Sequence, residues 1–273
     1  MTKSERKKCN VLTLQKHKRE NTKAVMVTAY DYPQAQLAEE AGVDMILVGD
    51  SLGMTTLGYD TTIPVTMDEM ISHCKAVKRG AKNTFIIGDM PFMSFQISDE
   101  EAVRNAGRFI QAGMDCIKLE GVVESRIKAI ADAGILVMGH LGLTPQSQAK
   151  FGGYRVQGKT RETFREILDQ ALRVQDAGCS FLLLEAMPYE PGRMIADDLD
   201  IPVYGIGAGK GTDGQLVIMH DLVGMFFEFK PKFAKRYCEA GKLIKGALES
   251  YCSEVRDGSF PDEDHSYETL EDF

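Results

Sequence analysis

At 273 residues, 44% hydrophobic and 26% charged, the chain has the size and composition of one large α/β domain or two small ones. A net charge of −8, no Trp and only 8% aromatic residues exclude a phosphate-tracking basic surface and a base-stacking platform, so no nucleic-acid partner is expected. No stretch approaches the roughly 18 apolar residues that a membrane span requires, so no membrane partner is expected either.

The chain opens with the basic segment KSERKKCN (3–10), followed by VLTLQKHKREN (11–21), which has no apolar core of a secretory signal. Residues up to about 22 read as a short N-terminal extension, and the expected location is cytoplasmic. The first strand-like run, AVMVTAYD (24–31), carries Tyr30 near its end and meets no Gly-rich dinucleotide loop. Seven more runs follow in order: EEAGVDMILVGD (39–50), TFIIGDM (84–90), QAGMDCIKLEG (111–121), ADAGILVMGH (131–140), QDAGCSFLLLEA (175–186), PVYGIGAG (202–209) and GQLVIMHD (214–221).

Four of these share one grammar. Each begins with Ala-Gly at the end of a helical pattern, where Gly supplies the left-handed residue that closes a helix. An apolar run of strand length follows, and a polar residue ends it: Asp50, Glu120, His140 and Glu185 stand 8, 7, 6 and 7 residues after the glycine. Helical stretches at 99–113 and 160–178 separate some of the runs. Helix feeding buried strand, repeated, predicts a parallel sheet. Eight βα units in about 250 residues is the size of a (β/α)8 TIM barrel, with an open doubly wound sheet as the alternative.

The Pro- and Gly-rich segments 142–158 and 205–214 follow predicted strands and read as long βα loops over one mouth. A helical C-terminal extension is expected over PKFAKRYCEAGKLIKGALESYCSEV (231–255), ending in an acidic tail from about residue 254, and the whole of 1–273 reads as one barrel domain. Cys9, Cys74, Cys116, Cys179, Cys238 and Cys252 form no C-x-x-C pair and read as reduced, mostly structural thiols.

A barrel keeps its active site at the C-terminal ends of its strands. There the sequence places Asp50, Asp89, Lys118, Glu120, His140 and Glu185, and period-2 alternation puts Lys118 and Glu120 on one face. Any one of the acids could be a helix cap. Crowded together, they repel unless a cation or a proton intervenes. A hard divalent ion such as Mg²⁺ takes oxygen ligands, often from only one or two carboxylates, and Asp50 and Asp89 are the best direct candidates. Oxygen ligands choose poorly among Mg²⁺, Mn²⁺ and Co²⁺. His17, His73 and His265 lie away from the strand ends and read as surface or packing residues; His220 stays open.

VGDSLGM (48–54), GDMPFMSF (88–95), IKLEG (117–121), GHLGLTPQS (139–147), FGGYRVQG (151–158), GIGAG (205–209) and DGQLVIMHD (213–221), seven blocks in register, closely resemble the ketopantoate hydroxymethyltransferase family. The resemblance implies a Mg²⁺-dependent (β/α)8 enzyme, a homodecamer. It implies transfer of a one-carbon unit from 5,10-methylenetetrahydrofolate to 2-oxoisovalerate (3-methyl-2-oxobutanoate), giving ketopantoate for pantothenate biosynthesis. Carried over by motif, Asp50 and Asp89 bind metal and substrate, and Glu120 belongs to the metal site by holding metal-bound water. Ser51 and Lys118 bind the substrate carboxylate, Glu185 is the base, and His140 and Tyr30 are supporting candidates. Val122, Phe95 and the Ala186-Met187 pair depart from the family's usual residues, and none carries a proposed functional atom. The alternatives are another metal-dependent enolate lyase or phosphonomutase acting on a 2-oxo acid, and a degenerate barrel kept for binding.

Overall fold

Met45-Ile46-Leu47-Val48 is apolar at every position and buried at every position, as a strand covered on both faces must be. The computed structural model describes residues 7–270. In it eight such strands close into a parallel barrel: β1 Ala24–Thr28, β2 Met45–Val48, β3 Phe85–Asp89, β4 Cys116–Glu120, β5 Val137–Gly142, β6 Phe181–Glu185, β7 Val203–Ile206 and β8 Gly214–Val217. Each strand pairs with the next, and β1 closes the ring on β8. Each predicted run holds one of them, except that β5 runs two residues past the run 131–140. The predicted helices at 99–113 and 160–178 are Asp99–Gln111 and Arg161–Asp176. The Ala-Gly pairs end the preceding helices: Gly178, at φ +113°, leaves no room for a Cβ without crowding Ala131, and Gly42 has φ +87°.

Alternation along the strands sorts side chains into two sets. Ile117 and Leu119 pack in the layer with the surrounding helices, whereas Cys116 joins Met45, Leu47, Phe85, Ile87, Met138, Phe181 and Leu183 in a separate cluster. Continuing that second set by twos carries it to Asp89, Lys118, Glu120, His140 and Glu185. The lower barrel is therefore an apolar plug and its upper layer is polar. Register then fixes neighbours, setting Asp89 beside Lys118, Glu120 beside His140 and Gly142 beside Glu185.

The basic N-terminal segment is more than an extension. Helix Val11–Arg19 is capped by Asn10, whose side chain accepts from the Thr13 N–H, and it buries Leu14, which joins Cys9 in the cluster of Phe85 and Tyr204. Periodicity did not single this helix out because Leu14 is its one buried residue. Leu14→Ala is expected to destabilise the protein by about 2–5 kcal/mol, read as a lower urea midpoint with an unchanged slope.

Contacts divide the chain into two compact units, Met1–Met219, which holds the barrel, and His220–Phe273. The long helix of the second unit is Ala240–Asp257. Residues 231–239, expected as helix, instead form a turn at Pro231, whose carbonyl accepts from the Ala234 N–H, and a segment where the Tyr237 N–H donates to the Leu222 carbonyl. These bonds and the Arg236 bond to the Phe226 carbonyl replace a helical ladder. Helix Ala240–Asp257 buries none of its residues and exposes Leu243, Ile244, Leu248, Tyr251 and Val255. The cysteines form no disulfide with one another, and no helix among the described residues is long and apolar enough to cross a membrane.

Candidate active site

The strand-end acids are not helix caps. The side chains of Asp31, Thr66, Ser98 and Thr160 cap the helices that follow them. Asp50 instead sits two residues beyond β2, after Gly49, where a Cβ would lie 3.0 Å from Ser51 Oγ and 3.7 Å from Asp89 Oδ2. The Asp50 backbone N–H donates to Asp89 Oδ2 at 3.0 Å, so the turn after β2 is fastened to the end of β3. The helix behind it, Leu52–Thr55, is a single turn, and Ser51 gives it no side-chain cap. Ser51 Oγ lies 2.8 Å from the Tyr30 hydroxyl.

Lys118 lies at the centre of the group. Its Nζ stands 2.8 Å from Asp89 Oδ1, 3.6 Å from Glu120 Oε1 and 3.3 Å from His140 Nδ1. Lysine and both carboxylates are at most 3% exposed. Burial would lower the Lys118 pKa, but Asp89, Glu120 and Asp50 hold it above the ordinary lysine value. Burial also pushes the acids up. Asp50 rises to about 6, with Glu120 adding to the effect, and Asp89 and Glu120 each rise to about 7 against the pull of Lys118. One ammonium does not neutralise three buried carboxylates.

Glu185 differs from the other acids. Its side chain is 15% exposed, and its nearest charged-type neighbour is His140, whose Nε2 lies 3.2 Å from Glu185 Oε2 without good hydrogen-bond alignment. The closer partner of His140 Nδ1 is Lys118 at 3.3 Å, against 3.5 Å for Glu120. An ammonium only donates, so Nδ1 accepts and the ring proton sits on Nε2, facing Glu185. Burial, then Lys118, lowers the His140 pKa, in keeping with a neutral ring, while burial raises that of Glu185.

Three contributors lay outside the sequence-predicted set. Gln146 donates from its side chain to Asp50 Oδ2 and from its backbone to Glu120 Oε2. Tyr154, half-exposed on the loop after β5, donates to Met54 Sδ at 3.8 Å; after burial, Glu185, Asp50 and Glu120 raise its pKa. His73 Nδ1 binds the Tyr30 carbonyl at 2.6 Å and so supports the site from outside. Gln146 and Tyr154 both fall inside blocks that carry the family resemblance, but nothing in their local pattern distinguishes a site residue from a loop residue. Tyr30 itself is fully buried, and burial pushes its hydroxyl up to about 12. His220 is buried in the second unit, and His265 pairs with Asp262 on the surface.

Among the described residues no three His, Cys, Asp or Glu side chains form a ready-made metal cage. The arrangement still fits a hard cation that keeps water and substrate as ligands. Glu120 Oε1 is buried and accepts no hydrogen bond, Asp89 Oδ1 has only the Lys118 ammonium beside it, and the carboxylates outnumber their counter-charge.

Residues 8–263 match the protein family described as ketopantoate hydroxymethyltransferase. The chain is 56% identical over 268 residues to the 3-methyl-2-oxobutanoate hydroxymethyltransferase of Alkaliphilus metalliredigens (strain QYMF), covering 97% of this chain and 95% of that one. It is 50% identical over 263 residues to the enzyme of the same name from Clostridium kluyveri, covering 95% and 94%. Among solved structures, phosphonopyruvate hydrolase in complex with oxalate and Mg²⁺ superposes with a TM-score of 0.62 at 13% identity, over 95% of this chain and 92% of that chain. The 2,3-dimethylmalate lyase, a PEP mutase/isocitrate lyase superfamily member, gives 0.60 at 16% identity, over 94% and 91%. At such identities these two likenesses establish the shared barrel and nothing finer.

Proposed function

The chain belongs to the ketopantoate hydroxymethyltransferase family and is an enzyme of hydroxymethyl transfer to 3-methyl-2-oxobutanoate; from that premise we propose how its residues carry the reaction. The one-carbon donor is 5,10-methylenetetrahydrofolate. With water, it and 3-methyl-2-oxobutanoate give tetrahydrofolate and ketopantoate. The protein must break the C3–H bond of the 2-oxo acid and present the resulting carbanion to the one-carbon unit.

Lys118 anchors the substrate carboxylate, for which a buried ammonium is the strongest single partner, and Ser51, held by Tyr30, donates a second hydrogen bond to it. Asp50 and Asp89 would hold Mg²⁺, with Glu120 beside them as the third carboxylate of the metal site. When bound, the ion supplies Lewis acidity at the keto oxygen, where charge develops as the C3 proton leaves. Glu185 takes that proton. Burial keeps it more basic than a solvated carboxylate, and no lysine or arginine among the described residues pairs with it. His140, protonated on Nε2, stands 3.2 Å from Glu185 Oε2 and places a neutral ring, not a cation, beside the base.

The observation that carries this reading is the division of labour among the acids. Asp89 and Glu120 sit sealed against Lys118, while Glu185 is partly open and, among the described residues, has a neutral imidazole as its nearest partner. The same reading takes the chain as a cytoplasmic homo-oligomer, a decamer by the family resemblance. The exposed apolar residues of helix Ala240–Asp257 are a surface that such an assembly can bury.

Exchange of the C3 proton of 3-methyl-2-oxobutanoate with deuterated water, followed by NMR, tests the proposal. Exchange is expected with Mg²⁺ and no folate, to fall on chelation, and to lead to ketopantoate only when 5,10-methylenetetrahydrofolate is added. Absence of exchange overturns the enolate route. Exchange without folate-dependent product favours a 2-oxo-acid lyase instead.

A further inference from the structure

Gln146 belongs to the loop after β5, yet it is bonded to the ends of three other strands. Its backbone N–H donates to Glu120 Oε2 at 3.0 Å, at the end of β4. Its side-chain nitrogen donates to Asp50 Oδ2 at 2.9 Å, beyond β2, and to the Met90 carbonyl at 3.0 Å, beyond β3. The residue is 6% exposed, so water cannot replace these bonds.

The identity of the side chain follows from its partners. A carboxylate oxygen and a backbone carbonyl both accept, so the amide must turn its nitrogen toward them and use both of its protons there. Its oxygen is then left toward Gln96 Nε2, 3.5 Å away. A lysine or arginine could make the same contacts, but it would cancel the negative charge that the carboxylates offer to a cation. A neutral double donor steadies the anions and leaves their charge in place.

The backbone is equally specific. Pro145–Ser147 form one 3-10 turn, with Thr144 extended before it and the Ser147 N–H returning to the Thr144 carbonyl at 2.9 Å. Proline at the first position presets that turn. The N–H of the next residue is thereby free to point inward at Glu120.

We propose that Gln146 is a positioning residue that sets the spacing of the cation-binding carboxylates. It takes one oxygen of Asp50 and one oxygen of Glu120, and so commits each carboxylate to a single orientation. At Glu120 the consequence is visible: Oε2 is bonded to Gln146, while Oε1 faces Lys118 with no hydrogen bond. Without these donors, Asp50 and Glu120 would swing apart from each other and from Asp89, since like charges in a buried pocket repel. The inference rests on the cation role given above to Asp50 and Glu120.

The test is direct Mg²⁺ titration of the full-length protein by calorimetry, without substrate, for wild type and Gln146→Met. Methionine keeps the length and the backbone N–H but donates nothing from its side chain. Hydrogen bonds to a charged group are worth enough that Mg²⁺ affinity is expected to fall by about tenfold or more. The thermal midpoint should fall modestly, since two buried acceptors lose their donor, while the protein stays folded at the titration temperature. C3 proton exchange should fall too, and the deficit should shrink as Mg²⁺ is raised. Gln146→Asn, which keeps the amide but is one methylene shorter, should also bind Mg²⁺ more weakly and serves if the methionine variant fails to fold. Wild-type Mg²⁺ affinity in a folded variant overturns the inference, as does a lower midpoint with affinity unmoved. If the wild-type protein itself shows no Mg²⁺-dependent exchange, the functional reading fails first, and the two failures are told apart.

Discussion

Glu185→Gln is expected to slow exchange of the C3 proton of 3-methyl-2-oxobutanoate by about 10²- to 10⁴-fold, the usual contribution of a positioned general base. Binding of the 2-oxo acid, followed by calorimetry with Mg²⁺ present, should stay within a fewfold of wild type. The two outcomes separate because glutamine keeps the shape of glutamate and fills the same place beside His140 Nε2, 3.2 Å away in the wild-type protein. What it loses is the capacity to take a proton.

The same expectation does not attach to the other acids. Glu120 accepts from the Gln146 N–H and lies within 3.6 Å of Lys118, and Asp89 lies within 2.8 Å of the same ammonium. Burial raises both to about 7 even so, and it is the cation held at these two carboxylates that would keep them from acting as the base. Exchange at close to the wild-type rate in the glutamine variant would move the base to another residue.

Much of this was legible in the chain because barrel strands are covered on both faces. That requirement writes continuous apolar runs, and the helix-closing Ala-Gly pairs mark where they begin. The same logic exposes the site. Residues such as Lys118 and Glu120 break an apolar alternation at the end of a run, and the inward face of β4 carries both, as period two requires. Gln146 was not legible. Its bonding partners Asp50 and Glu120 lie 96 and 26 residues away, and its own segment offers only a proline turn. Helix Val11–Arg19 was hidden for the opposite reason, since one buried leucine gives no period to detect. Residues 231–239 were overread: their apolar spacing suits a helix, but turn bonds to Pro231 and Leu222 claimed the backbone first.

Lys118→Met is expected to produce the largest loss of stability in the metal-free protein. Methionine has a similar unbranched length, so little cavity opens and the change is chiefly the removal of charge. Asp50, Asp89 and Glu120 then share a buried pocket in which the described residues offer them no other ammonium or guanidinium. Removing one member of a buried ion pair costs about 3–5 kcal/mol because the other is left uncompensated. An exposed pair such as Lys128 with Asp132 would cost far less, since water replaces the partner. The measurement is the urea midpoint in chelator and again in excess Mg²⁺. A divalent cation supplies the missing positive charge, so Mg²⁺ should recover much of the lost stability. It should not recover binding of the 2-oxo acid, whose carboxylate needs the ammonium itself. An unchanged midpoint in chelator would show that the three acids already share protons rather than depend on Lys118. Recovery of both stability and 2-oxo-acid binding by Mg²⁺ would leave the lysine as a counter-charge alone and assign the substrate carboxylate to the cation.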